Sequence, residues 1–131
     1  MSTWSPQDVS ALTTSEEVQV RTRRPDGSLR RPTTIWVVAD GDRIFVRSTN
    51  GRSAAWFRAA LATGTGQLFA GGTATDVAFA EAAGRDLDRV DAAYRSKYGR
   101  YASIVDHLQG PVPRAATLEV HRAQQTPITR S

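Results

Sequence analysis

Cysteine is absent from the 131 residues. That excludes disulfides, thiolate metal sites and a cysteine nucleophile, and it accords with a reducing compartment. Lysine is nearly absent: Lys97 stands alone among 17 basic residues, and the rest are arginine. Histidine occurs only as His107 and His121, neither with a partner at metal-ligand spacing. No apolar run approaches the roughly 20 residues that cross a bilayer. Met1-Ser2-Thr3-Trp4 shows no basic region followed by an apolar stretch, so no secretory leader is visible and a cytoplasmic location is expected. No G-x-S-x-G elbow, H-E-x-x-H pair or P-loop occurs.

What is present is unevenly placed. Residues 21–58 hold nine arginines against three aspartates, a balance of +6, whereas the remainder holds eight basic and ten acidic residues, a balance of −2. Solvated strand faces would account for such a cluster. An anion site would account for it too, because guanidinium forks match phosphate oxygens in paired hydrogen bonds. A basic patch is also the footprint of a nucleic-acid surface. The length suits one domain with a single core, expected over residues 1–123, with 124–131 a polar, disordered tail.

Patterning gives the elements in order. Ser5-Pro6 starts a short helix through about Leu12, with Trp4 at its entrance. Alternation from Val18 to Arg23 predicts a half-buried strand. Residues 31–39 and 43–48 flank Asp40-Gly41-Asp42 and read as a hairpin. Ala54–Ala62 reads as a helix capped by Ser53 and ending near Gly64. Gly66–Ala70 and Thr73–Ala82 form a second hairpin about Gly71-Gly72. From Asp86, apolar residues recur every three or four positions to Leu108, with Gly99 dividing two helical pieces. Gly110–Pro113 reads as a linker and Ala115–His121 as a last strand. Six short strands joined mostly by tight turns predict a mainly β fold with flanking helices (α+β), a six-stranded antiparallel barrel. Ile35, Val37, Ile44, Val46, Leu68, Val77, Phe79 and Leu118 are the expected core.

The same pattern sorts the polar residues. Asp86, Asp88 and Asp91 complement a helix dipole. Tyr94, Tyr98 and Tyr101 share helical spacing and read as a packing stripe. Arg31 and Thr33 lie on one face of a strand, and Trp36 has the opposite parity. Arg47 and Ser48 end the next strand beside Gly51 and Arg52. That loop feeds a helix N-terminus, whose free N–H groups and partial positive charge suit an anion, and Trp56 and Arg58 sit in the first turns.

The run Arg31-x-Thr33, then Asp42–Ser48, Gly51-Arg52, Trp56-Phe57-Arg58, Ala70-Gly71-Gly72, Asp76-Val77 and Ala92-Ala93-Tyr94-Arg95-x-Lys97-Tyr98 resembles a family of small bacterial proteins known only as a domain of unknown function. The likeness spans roughly residues 3–122. That family is similar in turn to split β-barrel flavin-binding proteins, the pyridoxamine-phosphate-oxidase-like and deazaflavin-dependent reductase-like groups. The resemblance implies a six-stranded split barrel, a homodimer, and a flavin phosphate held by basic residues on the second strand and in the loop after the third. On it, Arg31 matches the strand position, Ser48 and Arg52 match the loop, and Trp56 and Arg58 match the family motif.

The expected cofactor-binding set is therefore Arg31, Thr33, Trp36, Arg47, Ser48, Arg52, Trp56 and Arg58. The leading expectation is a flavin- or deazaflavin-binding redox protein acting on a small molecule, with FMN or an F420-type deazaflavin as cofactor. The alternative is a cofactor-free barrel that binds a small molecule in the same pocket. A nucleic-acid surface ranks last.

Overall fold

The computed structural model describes residues 4–15, 17–70 and 72–123. In order these form α1 (Pro6–Thr14), β1 (Val18–Thr22), β2 (Thr33–Ile35), β3 (Val37–Asp40), β4 (Arg43–Arg47), α2 (Ala55–Thr63), β5 (Thr65–Ala70), β6 (Thr73–Glu81), α3 (Leu87–Tyr98), α4 (Ala102–Leu108), α5 (Pro111–Arg114) and β7 (Thr117–Arg122). Short 3-10 turns at Gly51–Ser53 and Gly84–Asp86 precede α2 and α3. The expected tail, 124–131, and Gly71 of the second hairpin lie outside the described residues. No helix among those described is long and apolar enough to cross a membrane.

The seven strands pair antiparallel in the spatial order β2-β1-β5-β6-β7-β4-β3. The two end strands are consecutive in sequence, separated only by Trp36. One stretch of chain therefore lies along both edges of the sheet. Its first part pairs with β1 (Val18↔Ile35) and its second with β4 (Val37↔Val46). The result is a nearly closed barrel whose split is bridged covalently at Trp36. The expected six strands become seven because a chain that changes partner mid-strand must leave the ladder. Here Trp36 turns its carbonyl out to the Tyr94 hydroxyl, 2.6 Å away.

Burial on both faces explains why alternation fails in Ile35–Val38 and Ile44–Val46. Val37, Ile44 and Val46 point into the barrel with Val18, Val20, Leu68, Val77 and Leu118. Val38 and Phe45 point outward and pack under Val90, Tyr94, Tyr98, Val105 and Leu108 of α3 and α4. The expected core residues are buried, except that Phe79 is half-buried against the barrel core. The tyrosine stripe is indeed packing: Trp36 stacks on Tyr98 at 4.1 Å with planes 8° apart.

Local signals hold with two corrections. The Ser5 hydroxyl accepts from the Asp8 N–H at 3.1 Å and caps α1. That helix runs past Leu12 because the Thr14 and Ser15 hydroxyls donate to the Ser10 and Ala11 carbonyls. The Trp4 indole N–H donates to the Val120 carbonyl at 2.9 Å, tying α1 to β7. Gly64 ends α2 at φ 73°. Ser53, however, does not cap α2: its hydroxyl donates to the Asn50 carbonyl, and Ala54 occupies the cap with no side-chain bond. The expected linker at Gly110–Pro113 is a helical turn, α5, because Pro111 supplies the preset φ of a first helical residue.

Ion pairs anchor α3 to the barrel. Arg43 forks onto Asp86 (2.8 and 3.1 Å) and Glu119 (2.9 and 3.1 Å), which holds the Asp86 carboxyl below its ordinary range. Asp91 takes both Arg47 and Arg114, and Asp88 takes Arg114. The three aspartates thus serve as partners for strand and helix arginines as well as for the dipole.

Lys97, on the same helix, donates to the Leu12 carbonyl at 2.9 Å and the Val37 carbonyl at 2.6 Å. Burial lowers its ammonium to about 8. A lysine in the unfolded chain titrates near 10.4. Below pH 8 both states are charged and the burial penalty is fully present. Between 8 and about 10 the unfolded chain holds the extra proton, so stability must rise with pH. Burial raises the Tyr94 and Tyr98 hydroxyls, so their opposing effect sets in as unfolded tyrosines ionise around pH 10. We expect unfolding free energy from urea titration to increase by on the order of 1–2 kcal/mol from pH 7.5 to 9.5. Lys97→Met should abolish the rise; a variant that keeps it would assign the pH dependence elsewhere.

Candidate functional site

Two adjoining cavities open where the barrel is split, and Thr33 and Trp56 line both. The larger, about 460 Å³, lies between β2 with Trp36 and the end of β4. Its lining comes from Thr33, Thr34, Ile35 and Trp36, from Arg47, Ser48, Thr49 and Asn50 at and beyond the end of β4, and from Ile104 and Leu108 of α4. The smaller, about 310 Å³, is lined by Thr22, Arg24, Arg30, Arg31, Ala55 and Trp56 besides Thr33.

The two cavities differ in character. Arg30 and Arg31 have no carboxylate partner among the described residues, whereas Arg43, Arg47, Arg52, Arg95, Arg114 and Arg122 are all ion-paired. Arg21 donates from Nε to the Arg30 carbonyl at 2.8 Å and holds the connection in place. Arg24 turns back on its own hairpin, donating to the Ser28 hydroxyl and the Leu29 carbonyl. Ala55 and Trp56 are the first residues of α2, and Ala54 leaves that nine-residue helix without a side-chain cap. Free N–H groups, a helix dipole and two unpaired guanidiniums thus converge on the smaller cavity. The larger cavity mixes apolar and aromatic residues (Ile35, Trp36, Trp56, Ile104 and Leu108) with hydroxyls (Thr33, Thr34, Ser48 and Thr49) and one carboxylate, Glu17. Trp36, stacked by one face on Tyr98, lines it.

The wall of residues 48–54 is fixed by packing. The Ser48 N–H donates to the Ala116 carbonyl, and its carbonyl accepts from Gly51 N–H, both at 3.1 Å. Gly51 is at φ 75°, and a Cβ there would meet Val112 Cγ1 at 2.5 Å, so only glycine fits. A ring nitrogen of His107, Nε2, lies 2.7 Å from the Thr49 carbonyl. The Ser48 hydroxyl is buried and has no partner.

Six residues singled out in the sequence meet here: Arg31, Thr33, Trp36, Arg47, Ser48 and Trp56. Arg47 is present as structure. Its side chain is fully buried, Nε donates to Thr117 Oγ1, and the two terminal nitrogens bond Asp91 and the Leu87 and Leu108 carbonyls. Arg52 faces away, pairing with Glu81, donating to the Ala115 carbonyl and lying over the Phe57 ring. Arg58 is exposed and lines neither cavity. Sequence reasoning missed Arg24, Arg30, Ile104 and Leu108. Arg30 adjoins Arg31 and could have been included on that ground. The α4 pair carried only a helical period, which does not say what it covers.

A family profile described as "Uncharacterized protein conserved in bacteria (DUF2255)" matches residues 8–120. The chain belongs to this family. No curated protein matches it in sequence. Among solved structures, a protein described as a domain-swapped dimer superposes with a TM-score of 0.61 at 15% identity, covering 81% of this chain and 80% of that one. An FAD-binding protein from Mesorhizobium loti has a TM-score of 0.57 at 14% identity, covering 93% and 92%. An F420 reductase has a TM-score of 0.50 at 16% identity, covering 88% and 92%. At such identities the likeness is one of fold, the nearly closed antiparallel barrel.

The geometry separates structural from ligand-facing arginines. Arg47→Ala removes a fully buried guanidinium from Asp91, the Thr117 hydroxyl and the Leu87 and Leu108 carbonyls, leaves the half-buried Asp91 with Arg114 alone, and should cost about 3–5 kcal/mol of stability. Arg31→Ala removes an unpaired, exposed side chain and should change stability by no more than about 0.5 kcal/mol. Urea midpoints of the two variants test the assignment, and equal midpoints would refute it.

Proposed function

We propose that this chain binds a phosphorylated flavin-type cofactor, FMN or an F420-type deazaflavin, and uses it in a redox reaction on a small molecule. The observation that carries the reading is the joined pair of cavities: a basic one with unpaired arginines at a helix N-terminus, and an aromatic one large enough for a fused ring. In this reading Arg30, Arg31 and the α2 N-terminus hold the phosphate, and the ring lies against Trp36. The names of two structural neighbours, an FAD-binding protein and an F420 reductase, support it. When bound, the cofactor supplies the hydride chemistry. The chain supplies placement, and among the described residues neither cavity is lined by a histidine or lysine.

Titration with FMN and with an F420-type deazaflavin should quench tryptophan emission, since Trp36 and Trp56 both line the site. Each charged hydrogen bond to a desolvated phosphate contributes on the order of 1.5–3 kcal/mol. Arg31→Ala and Arg30→Ala should therefore weaken binding roughly ten- to a hundredfold. Arg52→Ala should do little. Absence of quenching by either cofactor up to millimolar concentration would overturn the proposal and favour a barrel for an unphosphorylated ligand.

We further propose a homodimer. Ile104, 44% exposed, stands at the mouth of the larger cavity, where a second copy would cover it. The domain-swapped neighbour supports pairing. Light scattering at micromolar concentration should return twice the 14.2 kDa chain mass, and the single-chain value would refute pairing.

A further inference from the structure

The two edges of the split are treated differently. On the β3 side, the exposed carbonyls are taken by α3: Tyr94 donates to Trp36, and Lys97 and Tyr98 donate to Val37. On the β2 side, no strand among the described residues pairs the outer edge, and Thr33–Ile35 face the larger cavity. An antiparallel edge presents backbone donors and acceptors in alternation.

Ser48 lines the same cavity; it is 1% exposed and its hydroxyl makes no hydrogen bond, while its own backbone groups are both used in the fold. A buried hydroxyl with no partner is destabilising, and a bound polar group would relieve that. The loop reading of the sequence places Ser48 at the phosphate. In the structure it lines the larger cavity and not the basic one.

We infer that Ser48 and the open edge of β2 together read the ring of the ligand, and that they read an imide edge, an N–H flanked by two carbonyls. Such an edge alternates acceptor, donor, acceptor in one plane. It fits a slot with an unpaired strand on one side and a hydroxyl able to donate or accept on the other. The apolar end of the ring then lies under Ile104 and Leu108. Flavins and deazaflavins both carry this edge, so the inference rests on the flavin-type reading and adds the orientation of the ring and the residue that selects it. Ser48 is a specificity-determining contact, separate from the arginines that hold the charge.

The test uses the full chain and three probes: FMN, lumiflavin, which is the ring without phosphate, and 3-methyllumiflavin, whose imide nitrogen is blocked. Binding is followed by tryptophan quenching. Ser48→Ala should weaken FMN and lumiflavin by the same factor, roughly three- to tenfold, the range of a neutral hydrogen bond. Wild type should bind 3-methyllumiflavin at least tenfold more weakly than lumiflavin, and that residual affinity should be indifferent to Ser48→Ala. The ligand-free variant should melt at or above the wild-type temperature, because the hydroxyl removed has no partner. Arg31→Ala should weaken FMN alone. If Ser48→Ala weakens only FMN, Ser48 is a phosphate contact and the inference is overturned while the flavin reading stands. Equal affinity of wild type and variant, equal binding of the methylated ring, or a lowered melting temperature would also overturn it. No binding of FMN or lumiflavin by wild type overturns both.

Discussion

Everything in this fold turns on the peptide carbonyls that leave the ladder where one strand passes from one edge of the sheet to the other. A buried carbonyl without a partner costs on the order of 1–3 kcal/mol, and Trp36 and Val37 present two in succession. One face of α3 answers both: positions 94, 97 and 98 follow the i, i+3, i+4 spacing that brings side chains together on a helix, and they supply two hydroxyls and an ammonium. The Ala-Tyr-Arg-x-Lys-Tyr stretch is in that sense a clasp over the seam. With the β3 side satisfied from within, the β2 side can stay open without the barrel losing its register.

The buried charges extend the same logic. Arg47 ends β4 inside a cage of Asp91, Thr117 and two helical carbonyls, with the Tyr94 ring 5.7 Å away. Such a pair, buried on its arginine side, adds little net stability relative to an apolar substitute, but it is costly to break and specific in geometry. It fixes the end of β4 relative to α3, and Ser48 follows as the next residue. The wall of the cavity therefore inherits its rigidity from charges already paired within the fold.

Much of this could be read from residue order. The barrel class, the hairpin about Gly41, the stop at Gly64, the break near Gly99 and the inward strand residues all follow from local rules that the structure obeys. The site was partly legible: Arg31, Thr33, Trp36, Ser48 and Trp56 converge because the hairpin and the following helix are contiguous in sequence. Arginine identity alone could not separate Arg31 from Arg47 or Arg52. Whether a guanidinium is free depends on carboxylates at positions 81 and 91, brought in by β6 and α3 from distant parts of the chain. The extra strand was illegible for a related reason, since nothing in Ile35-Trp36-Val37 marks the point at which the pairing partner changes.

The lone lysine has an experimental use. Sixteen of the chain's seventeen basic residues are arginines, yet the seam holds the one amine. A compact ammonium reaches two carbonyls that diverge from a single point, where a planar fork would not. An acylating reagent would thus meet one side-chain amine in the whole molecule, and that amine is half-buried and bonded to the Leu12 and Val37 carbonyls while α3 is seated. Its rate of modification, compared with that of a free lysine, reports how often those two bonds open, readable in a mass spectrometer without any added label.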